Sequence, residues 1–114
     1  MAENDSTRKP NNTQIDATTY YRLPCGKFLE DFIYYKQLNF NMGSAVKYKW
    51  RAGHKDGETA EKDLKKADHY INFEAKCRGY YSIEGKPLKK WIDYVAAEVD
   101  ALIAEAKIWD GKEW

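Results

Sequence analysis

Three cationic residues in the middle of the chain have the spacing of a phosphate-binding helix. Lys47 and Arg51 are four residues apart, so a helix places them on one face, and Lys55 follows soon after. Arginine grips two phosphate oxygens at once, and lysine supplies a mobile point charge. The small residues Gly43 and Ser44 favour a close approach of phosphate to free backbone N–H groups at the helix start. A solvated helix face has the same pattern, so both interpretations stand on the spacing alone.

A second group of candidate residues lies further along the chain. Asp63, Lys66 and Tyr70 are spaced three and four apart, which puts an acid, a base and an aromatic ring on one face of a helix. We expect Lys66 to support the phosphate. Tyr48, Tyr70, Tyr20 or Tyr21 would stack on a nucleotide base. The alternative is an intrahelical Asp63–Lys66 ion pair, worth only about a few tenths of a kcal/mol.

Composition restricts the classes of partner. The chain has 114 residues, enough for one domain with a modest core, and its formal net charge is only +1. No strong nucleic-acid signal follows from this balance, so any anion site must be local. The first residues are polar, so we expect no signal peptide. No apolar run has membrane-spanning length, so we expect a cytoplasmic protein without a membrane partner. Cys25 and Cys77 lack metal-ligand partners in the sequence, which predicts free thiols in a reducing compartment.

Hydrophobic periodicity predicts an all-α fold. We expect helices at about 27–38, from Gly43 to the glycine at position 53, at 58–77 and at 87–110. Asn39 or Asn41 is expected to cap the second helix, and Gly53 to end it in the left-handed conformation. Residues 1–19 read as a disordered polar tail. The prediction is one helical domain at 20–114, a small bundle of about four helices with a long C-terminal helix.

The last predicted helix carries an unbroken heptad seam. Its residues are Leu88, Ile92, Val95, Val99, Leu102, Ala106 and Trp109. Such a seam favours either a coiled coil between chains or packing inside a four-helix bundle. Aromatic residues make up 15% of the chain, more than so small a domain can bury. We therefore expect a homo-oligomer with this helix at or near its interface.

The central motif resembles that of a known phage family. Residues 43–55 and 63–70 are close to the pattern G-N-A-[IV]-K-Y-x-x-R-A-x-x-K, a variable loop, then D-L-x-K-A-x-x-Y. This resembles the SaV-like phage family, which includes a podovirus nucleotide kinase that phosphorylates deoxynucleoside monophosphates without a P-loop. The resemblance covers residues 20 to about 76. Ser44 stands where the family usually has Asn, and Tyr20 where it often has His.

The resemblance implies a phage nucleotide kinase-like protein in the cytoplasm of the infected host cell. It would use Mg²⁺ with a nucleoside triphosphate, and this chain likewise has no Walker-type phosphate loop. Asp63, Lys47 and Arg51 would be catalytic, and Asp63 would hold the metal or orient the acceptor. The residues expected to bind the nucleotide are Gly43, Ser44, Lys47, Arg51, Lys55, Lys66 and Tyr70.

Two other functions remain open on the sequence. One is a non-catalytic small phage protein that binds a nucleotide or inhibits a host protein with the same cationic face. The other is a helical interaction module whose working surface is the last helix. The first of these would need neither Mg²⁺ nor turnover, and only the kinase needs Asp63 as an acid.

Overall fold

Four α-helices make up the described fold. A computed structural model describes residues 20–54, 57–82 and 84–112, the side chains at 57 and 58 excepted. The helices are α1 (Leu29–Tyr35), α2 (Phe40–Ala52), α3 (Gly57–Tyr81) and α4 (Leu88–Ile108). These residues contain no strand, only an isolated antiparallel bridge between Arg22 and Phe28. The all-α prediction with a long C-terminal helix is confirmed, and the tail predicted at 1–19 lies outside the described residues.

The first helix is shorter than the segment predicted at 27–38. Its start is fixed by Asp31, whose carboxylate accepts the backbone N–H of Phe28 at 2.9 Å. Its end is fixed by Gln37, which adopts a left-handed φ of 55°. Leu38 then donates its N–H back to a carbonyl of α1 at 3.2 Å, closing the helix end and turning the chain towards α2.

The second helix begins before Gly43. Asn39 caps it by accepting the N–H of Met42 at 2.8 Å, as one of the two predicted caps. Gly43 therefore lies inside the first turns and donates its own N–H to the Asn39 carbonyl at 2.8 Å. The prediction of free backbone donors at Gly43 is wrong. A Cβ at Gly43 would lie 3.2 Å from Cγ2 of Ile33, so the small residue serves the close approach of α1 to α2.

The end of α2 also differs from its prediction. Gly53 has φ −70° and ψ −13°, a right-handed conformation, so the expected left-handed stop is wrong. Its N–H bonds instead to the carbonyls of Trp50 and Lys49. The next helix, predicted at 58–77, runs on to Tyr81. Gly79 lies inside this helix, and its missing side chain makes room for the Trp91 indole, 3.3 Å from where a Cβ would stand.

One hydrophobic core joins the four helices, with α3 packed against both α2 and α4. Val46 and Trp50 anchor α2 in this core, as their spacing predicted. The buried members of the core are Leu23, Leu29, Phe32, Met42, Ala45, Val46, Trp50, Ile71, Ala75, Trp91, Val95, Val99, Ala106 and Trp109.

The heptad seam of α4 packs inside the chain. Val95, Val99 and Ala106 are fully buried, and Trp109 at the end of the helix stacks on Tyr35 with ring centroids 5.2 Å apart. Of the two arrangements that the seam favoured, the structure has packing within the bundle. Leu88 is 45% exposed and begins the helix outside the core. A homo-oligomer stays a prediction, and an interface at or near α4 would use residues outside the buried seam.

Cys25 and Cys77 are both free thiols, as predicted. Both are half-buried, and they lie in different parts of the fold. Cys25 is in the lead-in, which we define as residues 20–28 before α1, and Cys77 is in α3. None of the helices in the described ranges is long and apolar enough to cross a membrane.

Candidate functional site

The centre of the candidate site is an ion pair between α2 and α3. Nε of Arg51 lies 3.5 Å from Oδ2 of Asp63. The Asp63 side chain is only 4% exposed, whereas that of Arg51 is 35% exposed. A buried carboxylate requires a cation or hydrogen-bond donors, because the loss of its hydration is otherwise costly. The pairing turns Asp63 inward, towards α2.

Tyr21 in the lead-in adjoins this ion pair. Burial raises the pKa of the Tyr21 hydroxyl above its ordinary value. The Arg51 guanidinium opposes this rise, and the charge of Asp63 adds to it. Tyr21 therefore stays protonated at neutral pH and forms a neutral wall beside the two charges. Its ring also contacts Lys47, whose Nζ lies 5.8 Å from the ring centroid.

A pair of tyrosines joins the outer faces of the same two helices. The rings of Tyr48 on α2 and Tyr70 on α3 are parallel within 4°, with centroids 6.1 Å apart. Two ammonium groups converge on Tyr48, Nζ of Lys66 at 5.3 Å and Nζ of Lys47 at 5.8 Å from its centroid. Both lysines are exposed, and among the described residues no carboxylate is ion-paired with either. The tyrosine pair thus presents an aromatic surface with unneutralised positive charge.

The structure brings most of the sequence-predicted site residues together. Lys47, Arg51, Asp63, Lys66 and Tyr70 all lie at this junction of α2 and α3. The line of residues predicted on α3 divides, because Asp63 turns towards Arg51 while Lys66 and Tyr70 meet Tyr48.

The remaining predicted residues lie to one side or beyond the description. Gly43 and Ser44 line a cavity of about 230 Å³ between α1 and α2, and Lys47 forms part of its wall. This cavity adjoins the tyrosine pair through Lys47. Lys55 lies outside the described residues.

A comparison with protein-family models gives one match. The family described as "Protein of unknown function (DUF3310)" matches residues 15–72, just over half of the chain. The chain belongs to the DUF3310 family. The match begins before the described residues and ends within α3. It includes every predicted site residue, and α4 follows it. No curated protein and no solved structure gives a significant match.

In the described part of the DUF3310 segment, Asp63 does not belong to a cluster of metal ligands. Across the described ranges, no group of three or more His, Cys, Asp or Glu side chains comes together. Asp63, the predicted Mg²⁺ ligand, is nearly inaccessible and faces the cation of Arg51. Magnesium requires several oxygen ligands, so the Mg²⁺ role of Asp63 stays a prediction. The geometry pairs Asp63 with Arg51.

Sequence reasoning missed a second charged cluster in this DUF3310 protein. Glu74 on α3 is buried and accepts hydrogen bonds from the side-chain amides of Asn39 and Asn41 at 3.3 Å. Arg78 donates to it at 2.9 Å and forms a two-pronged bond with Glu98 on α4. The cluster ties the start of α2 to α3 and α4. The sequence feature that could have revealed this cluster is the carboxylate of Glu74, three residues after Ile71 and inside the apolar stripe of α3.

Phe40 is another residue at the candidate site that sequence reasoning missed. It is the first residue of α2, and its ring meets Tyr70 edge to face at 5.6 Å. The sequence signal was its place directly after the capping Asn39. That signal was hidden because the predicted helix began at Gly43.

Proposed function

We propose that this protein binds nucleotides at the tyrosine pair and acts as a phage nucleotide kinase-like enzyme. The observation that carries the proposal is the convergence of Lys47 and Lys66 on Tyr48, whose ring is parallel to Tyr70. A nucleotide combines an anion with a flat aromatic base, and this surface offers a partner for each. The resemblance of the motif to the SaV-like kinase family supplies the reaction.

In this reaction the γ-phosphoryl group of a nucleoside triphosphate passes to a phosphate oxygen of a deoxynucleoside monophosphate. The products are a nucleoside diphosphate and a deoxynucleoside diphosphate. Phosphoryl transfer requires mainly alignment and positive charge around the moving group. Lys47 and Lys66 would supply mobile charge, and Arg51, held by Asp63, would supply a fixed guanidinium. Any Mg²⁺ would arrive with the triphosphate, as part of the substrate.

A non-catalytic nucleotide binder is the second candidate function. The observation that favours it is the burial of Asp63, whose side chain is 4% exposed and faces Arg51. A carboxylate in that position cannot approach a substrate without breaking its ion pair. A binder requires only the exposed lysines and rings, which the described surface provides.

Calorimetric titration of matched lysine variants tests nucleotide binding. Lys65 and Lys66 are adjacent exposed residues of α3, and Lys66 is the one that lies over Tyr48. We expect Lys66→Ala to weaken deoxynucleotide binding about tenfold, the value of one charged hydrogen bond. Lys65→Ala should stay within about twofold of wild type, as for an ordinary surface substitution. Equal affinities of the two variants, or no binding by wild type, would overturn the site.

Lys49, a partly exposed lysine of α2, is unsuitable as a control for the lysine variants. Its Nζ lies 2.5 Å from Oδ1 of Asp100, so its removal would break a bridge between α2 and α4. An affinity change in that variant would mix binding with stability.

A turnover assay separates the two candidate functions. Wild type is mixed with a nucleoside triphosphate, Mg²⁺ and each deoxynucleoside monophosphate in turn, and diphosphate formation is followed. For a kinase, Asp63→Asn should lower turnover much more than affinity, because it loosens Arg51 without removing a lysine. Binding without diphosphate formation by wild type would reject the kinase and leave the binder.

A further inference from the structure

The tyrosine pair is part of a larger group of aromatic rings. Tyr70 contacts Tyr48, meets Phe40 edge to face at 5.6 Å, and meets His69 edge to face at 5.0 Å. His69 in turn lies parallel to Phe73 within 2°, with centroids 6.4 Å apart. We call these five residues the aromatic cluster: Phe40, Tyr48, His69, Tyr70 and Phe73.

Much of the aromatic cluster faces solvent. Phe40 is 74% exposed and Phe73 is 51% exposed, although both are large apolar side chains. Neither is a member of the hydrophobic core. Exposed apolar groups that adjoin one another typically mark a surface that binds a partner. The rings lie next to Lys47 and Lys66, so the partner must match both apolar faces and positive charge.

The aromatic cluster is larger than one nucleotide requires. A single base covers one or two rings, whereas here five rings adjoin one another across α2 and α3. From Lys66 to Phe73 the surface extends about 10 Å along α3, at the helical rise of about 1.5 Å per residue. The cations lie at one end of the cluster, and the rings continue beyond them. This arrangement matches a chain of bases joined by phosphates.

We propose that the aromatic cluster, with Lys47 and Lys66, binds single-stranded nucleic acid over more than one nucleotide. Unpaired bases stack on exposed aromatic rings, while lysines neutralise the phosphates between them. Charge complementarity selects this occupant, because the two ammonium groups beside the rings have no described carboxylate partner. A duplex fits poorly, since its bases are stacked on one another. The inference uses the lysines of the proposed nucleotide site, but it does not depend on phosphoryl transfer.

Fluorescence anisotropy with labelled oligonucleotides tests this surface. The probe is a fluorescein-labelled oligothymidylate of about 12 nucleotides, within the range that small single-strand binding domains cover. We expect Phe73→Ala to weaken its binding about tenfold, the effect of losing one stacked base. The matched control is Tyr80→Ala, an exposed aromatic on the same helix whose described ring contact is to Tyr81 rather than to the aromatic cluster. That variant should bind like wild type.

Salt dependence and probe chemistry sharpen the test. Lys66→Ala should make binding less steeply dependent on salt, because it releases about one fewer counterion. An oligouridylate of the same length shows whether RNA serves as well as DNA, and binding of either strand supports the inference. A duplex of that length should bind more weakly than both.

Three outcomes would overturn the inference. They are no binding of either single strand at low salt, equal losses for Phe73→Ala and Tyr80→Ala, and a change of sedimenting mass in Phe73→Ala, which would make the aromatic cluster a protein interface. Titration with thymidine monophosphate separates the two proposals. Phe73→Ala should leave mononucleotide affinity unchanged, and oligonucleotide binding without mononucleotide binding would reject only the proposed nucleotide function.

Discussion

Charged side chains at the candidate site divide into two kinds. Arg51 and Asp63 form a partly buried pair, in which each charge is needed by the other. Removing Arg51 should destabilise the fold, because the Asp63 carboxylate is only 4% exposed and would lose this charge partner. Lys47 and Lys66 are exposed, and no such partner lies among the residues that the structure describes. Binding experiments are therefore clearest with the lysines, whose removal does not strand a buried charge.

Glu74 gives the fold a defined sensitivity to acid. Burial raises its pKa, but the hydrogen bonds from Arg78 and Asn41 outweigh burial, so the pKa lies below its ordinary value of 4.5. A carboxyl whose pKa falls on folding stabilises the protein above the unfolded-state pKa, and this stability is lost as pH falls through the folded-state pKa. We expect wild type to lose stability as the pH drops below about 4.5, as protons bind the unfolded chain preferentially.

The measurement is urea unfolding of wild type and Glu74→Gln at a series of pH values. Glu74→Gln should be less stable at neutral pH, and its stability should vary less with pH in the acidic range. The control is Glu61→Gln, which changes an exposed carboxylate of the same helix. Identical pH dependence in Glu74→Gln and wild type would show that the buried cluster does not control acid stability.

Local spacing predicted which site residues share a helix face, except for Asp63, which turns away from Lys66 and Tyr70. Lys47 and Arg51 share a face of α2 because they are four apart, and Lys66 and Tyr70 do so on α3. The pairing of Arg51 with Asp63 could not be predicted, because it depends on where α2 crosses α3. The intrahelical alternative for Asp63 was equally consistent with the sequence. Lys66 meets Tyr48 for the same reason of helix crossing.

At the level of helices, the errors lie at the ends. Gly43 looked like a helix start because small residues favour turns, but Asn39 provides a side-chain acceptor that Gly43 lacks. Gly53 looked like a left-handed stop, yet its N–H finds carbonyls within the last turn of α2 without that conformation. Glycine generally favours turns and helix ends, but neighbouring hydrogen bonds decide where α2 begins and ends. The existence of each helix depended on periodicity and was predicted correctly.

The seam of α4 offers a test of packing at matched positions. Val99 and Leu88 belong to the same heptad pattern, but Val99 is fully buried whereas Leu88 is 45% exposed. We expect Val99→Asp to destabilise the protein by about 4 kcal/mol, because it buries a carboxylate without a partner. Leu88→Asp should change the free energy of unfolding by less than about 0.5 kcal/mol, as at an ordinary surface position.

Urea unfolding followed by circular dichroism measures both variants. If the seam instead joined two chains, the two substitutions would shift the sedimenting mass rather than mainly the unfolding midpoint. Similar destabilisation by both would contradict the burial of the centre of α4 and the exposure of its first residue.

For the whole molecule, the number and order of the helices followed from hydrophobic period, and their arrangement did not. A heptad seam has the same sequence whether it packs against the chain's own helices or against a second copy. The choice between them depends on long-range contacts such as that of Trp109 with Tyr35 and Phe32. Those contacts join the end of α4 to α1, far apart in sequence. The aromatic excess likewise gave no sign that five rings would adjoin one another.

The family match and the folding unit do not have the same extent. The match to DUF3310 ends at residue 72, yet α4 contributes Trp91, Val95 and Val99 to the core. Each large apolar side chain buried there adds about 1.5–3 kcal/mol, and together they equal a large part of the net stability of a typical domain. Removing α4 would also expose Phe32, which is fully buried. The matched segment should therefore be unable to fold alone.

We predict that a chain of residues 1–82 is unfolded under conditions in which the full chain is folded. Its helical circular dichroism should be weak, and the fluorescence of Trp50 should shift towards that of a solvated indole, because the faces of α1 and α3 lose their cover. Adding a peptide of residues 84–112 should restore helix in proportion to complex formed, since α4 brings back the missing side of the core. A peptide with Val99→Asp provides the matched control and should restore little. Cooperative unfolding of 1–82 alone would show that α4 is an appendage and that the core lies within the first three helices.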